Sequence, residues 1–124
     1  HALGDCWGMG AEPISALAIA QVPFGLEEKV EEDLVQMMAG ATSALAEAKC
    51  ALVGGHTCEG AELALGFAVN GAVKMEDVKG KGGMLAGQVV VLTKAIGTGA
   101  IFAADMRGKA KAGWVEAALA SMCQ

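Results

Sequence analysis

Two segments of the chain alternate between large and small apolar residues, as expected for β-strands. In the segment 14–22, Leu17 and Ile19 alternate with alanines, and in the segment 63–70 leucine, phenylalanine and valine alternate with alanine, glycine and asparagine. A period of two places alternate side chains on opposite faces of a strand. Each segment therefore predicts a buried strand of one design, with a bulky and a thin face. We expect helices against one face and a closely packed partner sheet, such as one from a second subunit, against the other.

A helix is predicted between these two strands. Large apolar residues recur every three or four positions from Leu26 to Leu45, which predicts an amphipathic helix that ends near Lys49. Shorter helices are predicted from Ala100 to Met106 and from Trp114 to Met122. Carboxylates crowd the first turns of the long helix, where the helix dipole favours them, and we interpret this acidic run as a solvated face rather than a metal site: Glu27, Glu28, Glu31, Glu32 and Asp33.

A charged, glycine-rich segment from Lys74 to Gly87 interrupts the apolar pattern and predicts a connector. The formal charge also changes here: residues 1–73 carry two lysines against ten carboxylates (−8), whereas residues 74–124 carry seven basic residues against four carboxylates (+3). The apolar run Gln88 to Thr93 predicts a further strand, followed by a glycine turn into a helix. For Thr98 at this turn, capping of the helix is favoured over contact with a phosphate.

The segment from Gly54 to Gly60, which begins Gly54-Gly55-His56-Thr57, follows the short apolar run Ala51 to Val53 and is predicted to be a binding loop between two strands. Paired glycines leave backbone N–H groups open to an anion, and His56 and Thr57 add directional donors, a combination that suits a phosphate. An ordinary turn has a similar composition. On these residues alone both interpretations stay open.

Composition narrows the function classes. The chain has 124 residues, of which 54% are hydrophobic, so we expect a real core rather than disorder. No apolar segment is long enough to cross a bilayer, and four scattered cysteines without a C-x-x-C pair indicate reduced thiols, so we expect a cytoplasmic protein. A soft metal site built from Cys50, His56, Cys58 and Glu59 matches no ligand spacing. The net charge of −5 and the 4% aromatic content disfavour nucleic-acid binding.

Four motifs together resemble the selenophosphate synthetase family, also called selenide, water dikinase. They are the stretch around Asp5 (HALGDCWGMGAEP), the Gly54–Thr57 segment, the strand ALGFAVNG from Ala64, and LTKAIGTG from Leu92. Their order and spacing match as well, and the resemblance extends over essentially the whole chain. The chain is therefore identified as similar to this family.

The resemblance implies an α/β (α+β) fold shared with aminoimidazole ribonucleotide synthetase. In that fold the N-terminal domain joins its sheet to that of a partner to form a barrel, and a second α+β domain follows. Residues 1–73 would be the latter part of the N-terminal ATP-binding and dimerisation domain, residues 74–87 a connector, and residues 88–124 the start of the C-terminal domain. We accordingly expect an internal part of a subunit that forms a homodimer or a higher homo-oligomer.

The family makes selenophosphate from selenide, ATP and water and releases AMP and orthophosphate. The resemblance implies that Asp5 is a ligand of Mg²⁺, for which a carboxylate is a suitably hard ligand. It assigns Gly55, His56 and Thr57 to nucleotide contact, with their segment reaching the site of the partner subunit. ATP and Mg²⁺ are thus the expected cofactors, and ATP and selenide the expected substrates.

No catalytic residue is predicted in this chain. The family's catalytic cysteine or selenocysteine and its lysine lie upstream of the matching region, so none of the four cysteines is predicted to be the nucleophile. We expect the chain alone to be inactive. Two alternatives remain open: another ATP-using enzyme of the same superfamily, or a non-catalytic dimerisation module.

Overall fold

The computed structural model describes residues 1–123, which separate into two compact units, one from His1 to Gly82 and one from Gly83 onward. The first unit contains two helices, three strands and a short 3₁₀ turn: α1 (Ala2–Gly8), β1 (Glu12–Pro23), α2 (Glu27–Glu47), β2 (Ala51–Gly60), β3 (Ala64–Ala72) and the turn Met75–Asp77. The second unit contains α3 (Thr98–Asp105) and α4 (Ala112–Met122). Mixed helices and strands confirm the predicted α/β class.

The three strands form one mixed sheet with the order β2-β1-β3. The central strand β1 is parallel to β2 and antiparallel to β3. Parallel neighbours need a crossover connection, and here that connection is α2. The strands predicted over residues 14–22 and 63–70 and the predicted long helix are therefore confirmed. The strands β1 and β2 with α2 form one β-α-β unit, and β3 is an edge strand.

The two faces of the sheet differ in what covers them. On the covered face, which packs against the helices, the β1 residues Ala16, Ala18 and Ala20 are only 0%, 5% and 2% exposed. On the open face, Leu17 and Ile19 are 41% and 55% exposed. The small side chains of β1 thus let α2 approach the sheet closely.

Each of the two alternating strands has a bulky and a thin face, but the two strands turn opposite faces toward the helices. The thin face of β1 and the bulky face of β3 lie on the covered side. Ala18 of β1 lies opposite Phe67 of β3 on the covered face, whereas Ile19 lies opposite Gly66 on the open face. Directly paired residues share a face of the sheet. A large side chain on one strand is therefore accommodated by a small residue on its neighbour.

The helix α2 packs through Leu45, which is 4% exposed, against a core cluster that includes Ala16 and Cys50. Its acidic start lies in solvent, where Lys29 pairs with Glu32 at 3.1 Å and with Asp33 at 2.8 Å. These contacts agree with a solvated acidic face. Leu26, predicted on the apolar stripe, is 82% exposed because it precedes the first turn as the N-cap residue.

The predicted loop over residues 54–60 is wrong, since this segment belongs to β2. Its residues pair one by one with β1, from Gly54 opposite Leu17 to Gly60 opposite Pro23. Backbone hydrogen bonding to a buried central strand outweighs the turn preference of paired glycines, because an extended backbone is also open to glycine.

In the second unit, the strand predicted over residues 88–93 is absent from the sheet of the described residues. The segment lies outside any helix or ladder, and Val89 to Leu92 are 65–85% exposed. A strand needs a neighbour for its backbone N–H and C=O groups, and the described residues provide none. Thr98 does not cap α3 either: Gly97 holds the N-cap position with φ of 106° and no side-chain cap bond forms. No helix among residues 1–123 combines the length and hydropathy needed to span a membrane.

Candidate functional site

Asp5 lies on the short helix α1 and points its carboxylate toward solvent. Its Oδ1 accepts a hydrogen bond from Nζ of Lys81 at 2.5 Å, and the two side chains are 68% and 67% exposed. The Lys81 ammonium lowers the pKa of the Asp5 carboxyl, mainly through this hydrogen bond and secondly through its positive charge. Asp5 is therefore ionised at neutral pH and available as an oxygen ligand.

Lys81 reaches Asp5 because the segment after β3 folds back over the end of α1. The backbone N–H of Lys79 donates to the carbonyl of Met9 at 3.0 Å. Gly10 adopts φ of +77°, and a Cβ there would stand 3.0 Å from the Asp77 carbonyl. A left-handed backbone and a close approach thus both favour glycine at this position.

Gly55, His56 and Thr57 lie on β2, an edge strand of the sheet. Thr57 is paired with Ala20 on the covered face, whereas His56 is paired with Ile19 on the open face. All three residues line a cavity of 350 Å³ whose other walls include residues of β1 and of α2. The side chains of His56 and Thr57 therefore lie on opposite faces of the sheet.

Gly55 also has a structural explanation that needs no ligand. A Cβ at this position would collide with the backbone of Ala18 on the neighbouring strand. The pairing of β1 with β2 depends on this close approach, so glycine is required here for the sheet itself.

One chain does not bring Asp5 and the Gly55–Thr57 segment together. Asp5 lines two cavities of 430 and 410 Å³, both of which also include Phe67 and Val69 of β3. Neither cavity includes Gly55 to Thr57, which lie on the other side of the central strand. The predicted site residues thus lie at opposite edges of the sheet.

The available donors fit a partial magnesium and phosphate site. Mg²⁺ keeps several waters and is commonly held by one or two carboxylates plus phosphate oxygens, so the exposed carboxylate of Asp5 is a suitable single ligand. Among residues 1–123 no three His, Cys, Asp or Glu side chains cluster as metal ligands, which also leaves the Cys50–Glu59 combination without support. Sequence reasoning missed Lys81, because 76 positions separate it from Asp5 and no local pattern links the two.

Comparisons with known proteins agree with the predicted resemblance. Residues 1–73 match the family model "AIR synthase related protein, N-terminal domain". The selenide, water dikinase of Nitratidesulfovibrio vulgaris is 38% identical over 114 residues, covering 92% of this chain and 31% of that protein. The enzyme of the same name from Bdellovibrio bacteriovorus is 34% identical over 122 residues, covering 98% of this chain and 34% of that protein. The chain spans about a third of the length of these curated relatives.

The fold is also similar to a solved structure, that of the hydrogenase maturation protein HypE in complex with ATP. The TM-score is 0.55 at 18% identity, covering 64% of this chain and 24% of that one. At this identity the likeness concerns the fold. The family match over residues 1–73 extends across more than half of the 124 residues, and the chain therefore belongs to the AIR synthase related protein family.

Proposed function

We propose that this chain is part of a selenide, water dikinase, which makes selenophosphate from selenide, ATP and water and releases AMP and orthophosphate. The observation that carries the proposal is the alignment of 92% of the chain, at 38% identity, with a relative of that name. The exposed, ionised carboxylate of Asp5 beside a lysine supports it chemically, since phosphoryl transfer depends on positive charge and metal ligands around the phosphates.

In this proposal Asp5 is a magnesium ligand, and Gly55, His56 and Thr57 contact the nucleotide. Bound magnesium would supply positive charge that neutralises the phosphate oxygens. Thr57 offers a hydroxyl and His56 a ring nitrogen as directional partners for ligand oxygens. The chain supplies no nucleophile, so we expect it to bind nucleotide without turning it over.

We further propose that the complete site is shared between two copies of the chain. Asp5 and the Gly55–Thr57 segment lie at opposite edges of one sheet, so a partner subunit would have to bring the missing half to each site. The open face supplies a surface for this partner, because Leu17 and Ile19 form an apolar ridge beside Gly54, Gly66 and Ala68. A ridge flanked by small residues suits a second sheet packed against it.

We propose that residues 1–73 belong to the ATP-binding and dimerisation domain, that residues 74–87 connect, and that residues 88–124 begin a second domain. The apolar run Val89 to Leu92 would then pair with strands that lie outside the chain described here, which accounts for its exposure.

Nucleotide binding tests the proposed function directly. We expect a non-hydrolysable ATP analogue to bind in the presence of magnesium, measured by calorimetry on the chain and on the complete protein. Asp5→Asn should weaken that binding at least about tenfold, equivalent to ~1.4 kcal/mol, because it removes the charged metal ligand. The matched control is Asp105→Asn, which removes an exposed carboxylate at the end of α3 and should leave the affinity unchanged.

A second candidate function is a non-catalytic dimerisation module. It is favoured by the separation, within one chain, of Asp5 from the Gly55–Thr57 segment. Absence of nucleotide binding by both the wild type and Asp5→Asn, in a chain that still self-associates, would support this module and contradict the dikinase. Selenide-dependent release of AMP by the complete protein would support the dikinase.

A further inference from the structure

We propose that Lys81 is a phosphate-binding residue of the nucleotide site, an inference that rests on the proposed function. Its Nζ lies 2.5 Å from Oδ1 of Asp5, the carboxylate proposed to hold magnesium. Both side chains are largely exposed, and Asp5 lines cavities of 430 and 410 Å³. A cation at this position adjoins any polyphosphate that shares a metal ion with Asp5.

Backbone contacts fix the segment that carries Lys81. The backbone bond from Lys79 to the Met9 carbonyl, 3.0 Å long, ties the segment to the end of α1. The left-handed Gly10 lets the chain pass within contact of Asp77 at the same place. Because these contacts use backbone atoms, replacing the Lys81 side chain leaves them intact.

The Lys81 ammonium can exchange its contact with the Asp5 carboxylate for a contact with a phosphate oxygen. Ion pairs between exposed side chains are weak in water, since solvent screens them and ordering two long side chains costs entropy. A lysine ammonium carries three hydrogen-bond donors and binds phosphate as a point charge. It can therefore contact phosphate oxygens while it stays close to the carboxylate. Lys81 thereby offsets the repulsion between the Asp5 carboxylate and a phosphate chain.

Lys79 offers a matched comparison in the same segment. It is an exposed lysine two positions away, and within the part of the chain that the structure describes it makes no ion pair, its one recorded hydrogen bond being through the backbone. Substitution of either lysine removes one positive charge from the same short segment. The two differ in that only Lys81 contacts Asp5.

The experiment compares binding of the non-hydrolysable ATP analogue, with magnesium, and of adenosine to wild type, Lys81→Met, Lys81→Arg and Lys79→Met in the complete protein. Lys81→Met should weaken binding of the analogue about tenfold, as expected for loss of a hydrogen bond to a charged group. Adenosine lacks phosphates, so its affinity should stay the same. Lys81→Arg should recover most of the loss, and Lys79→Met should bind like the wild type.

The outcomes separate this inference from the function on which it rests. If Lys81→Met binds the analogue like the wild type while Asp5→Asn does not, the nucleotide site stands and the role of Lys81 is overturned. Equal weakening of analogue and adenosine by Lys81→Met would indicate a structural effect and would also overturn it. If the wild type binds neither ligand, the proposed function fails together with the inference.

Discussion

Gly55 and Asp5 illustrate two different reasons for a residue type at one position. Packing explains the glycine, whereas the proposed chemistry explains the carboxylate. Gly55 is needed because the Ala18 backbone occupies the space of any side chain. Asp5 is largely exposed, and its one ion pair among the described residues is with Lys81. An exposed ion pair adds little to stability, so stability alone does not explain a carboxylate at this position, and ligand binding is the role proposed for it.

The requirement at Gly55 can be tested by adding one methyl group. Gly55→Ala should lower the free energy of unfolding of the first unit by about 1–3 kcal/mol, the usual cost of overpacking, because the obstructing atoms belong to the backbone. Urea denaturation followed by circular dichroism measures the change. Gly66→Ala is the control, since no atom lies within 4 Å of a Cβ there. Equal stability of both variants would contradict the close approach of β1 and β2.

At the scale of elements, the packing of α2 on the sheet depends on the small side chains of β1. The sequence alone predicts the strand and the helix, because periods of two and of three to four residues are local properties. It does not predict which strand face the helix covers. That choice follows from the cross-strand pairs, in which Ala18 adjoins Phe67 and Ile19 adjoins Gly66.

This packing predicts an asymmetric response to larger side chains. Ala16 is fully buried at the contact with Leu45, so Ala16→Leu should destabilise the first unit by about 1–3 kcal/mol through overpacking. Ala46 is an exposed alanine on α2, outside the proposed interface, and Ala46→Leu should cost much less. Thermal unfolding at matched protein concentration distinguishes the two. A larger loss for Ala46→Leu would contradict the tight packing of Ala16 against Leu45.

The whole molecule exposes a large share of its apolar side chains, and this exposure is concentrated at particular places. Leu17 and Ile19 lie uncovered on the open face, and Val89 to Leu92 are exposed and have no strand neighbour among the described residues. Contiguous exposed apolar surface and unpaired strand edges favour association. The second copy proposed above would cover the open face.

We therefore expect the chain to self-associate through the open face. Ile19→Glu places a charge in the centre of this face and should shift the population toward monomer by at least about tenfold in dissociation constant, since burying an unpaired charge is costly. Val35→Glu is the control, because Val35 is 60% exposed on α2 and outside the sheet. Analytical ultracentrifugation measures both. If Val35→Glu dissociates the assembly and Ile19→Glu does not, the interface lies on the helical side instead.

The sequence by itself determined α2, α3 and α4, the two alternating strands and the family resemblance, because these depend on periodicity and motifs within short segments. The tertiary structure decided the rest. It made a strand of Gly54 to Gly60 by pairing them with β1, left residues 88–93 without a partner, and placed Lys81 against Asp5. Each of these outcomes depends on contacts between residues distant along the chain, and such contacts leave no periodic signal in the sequence.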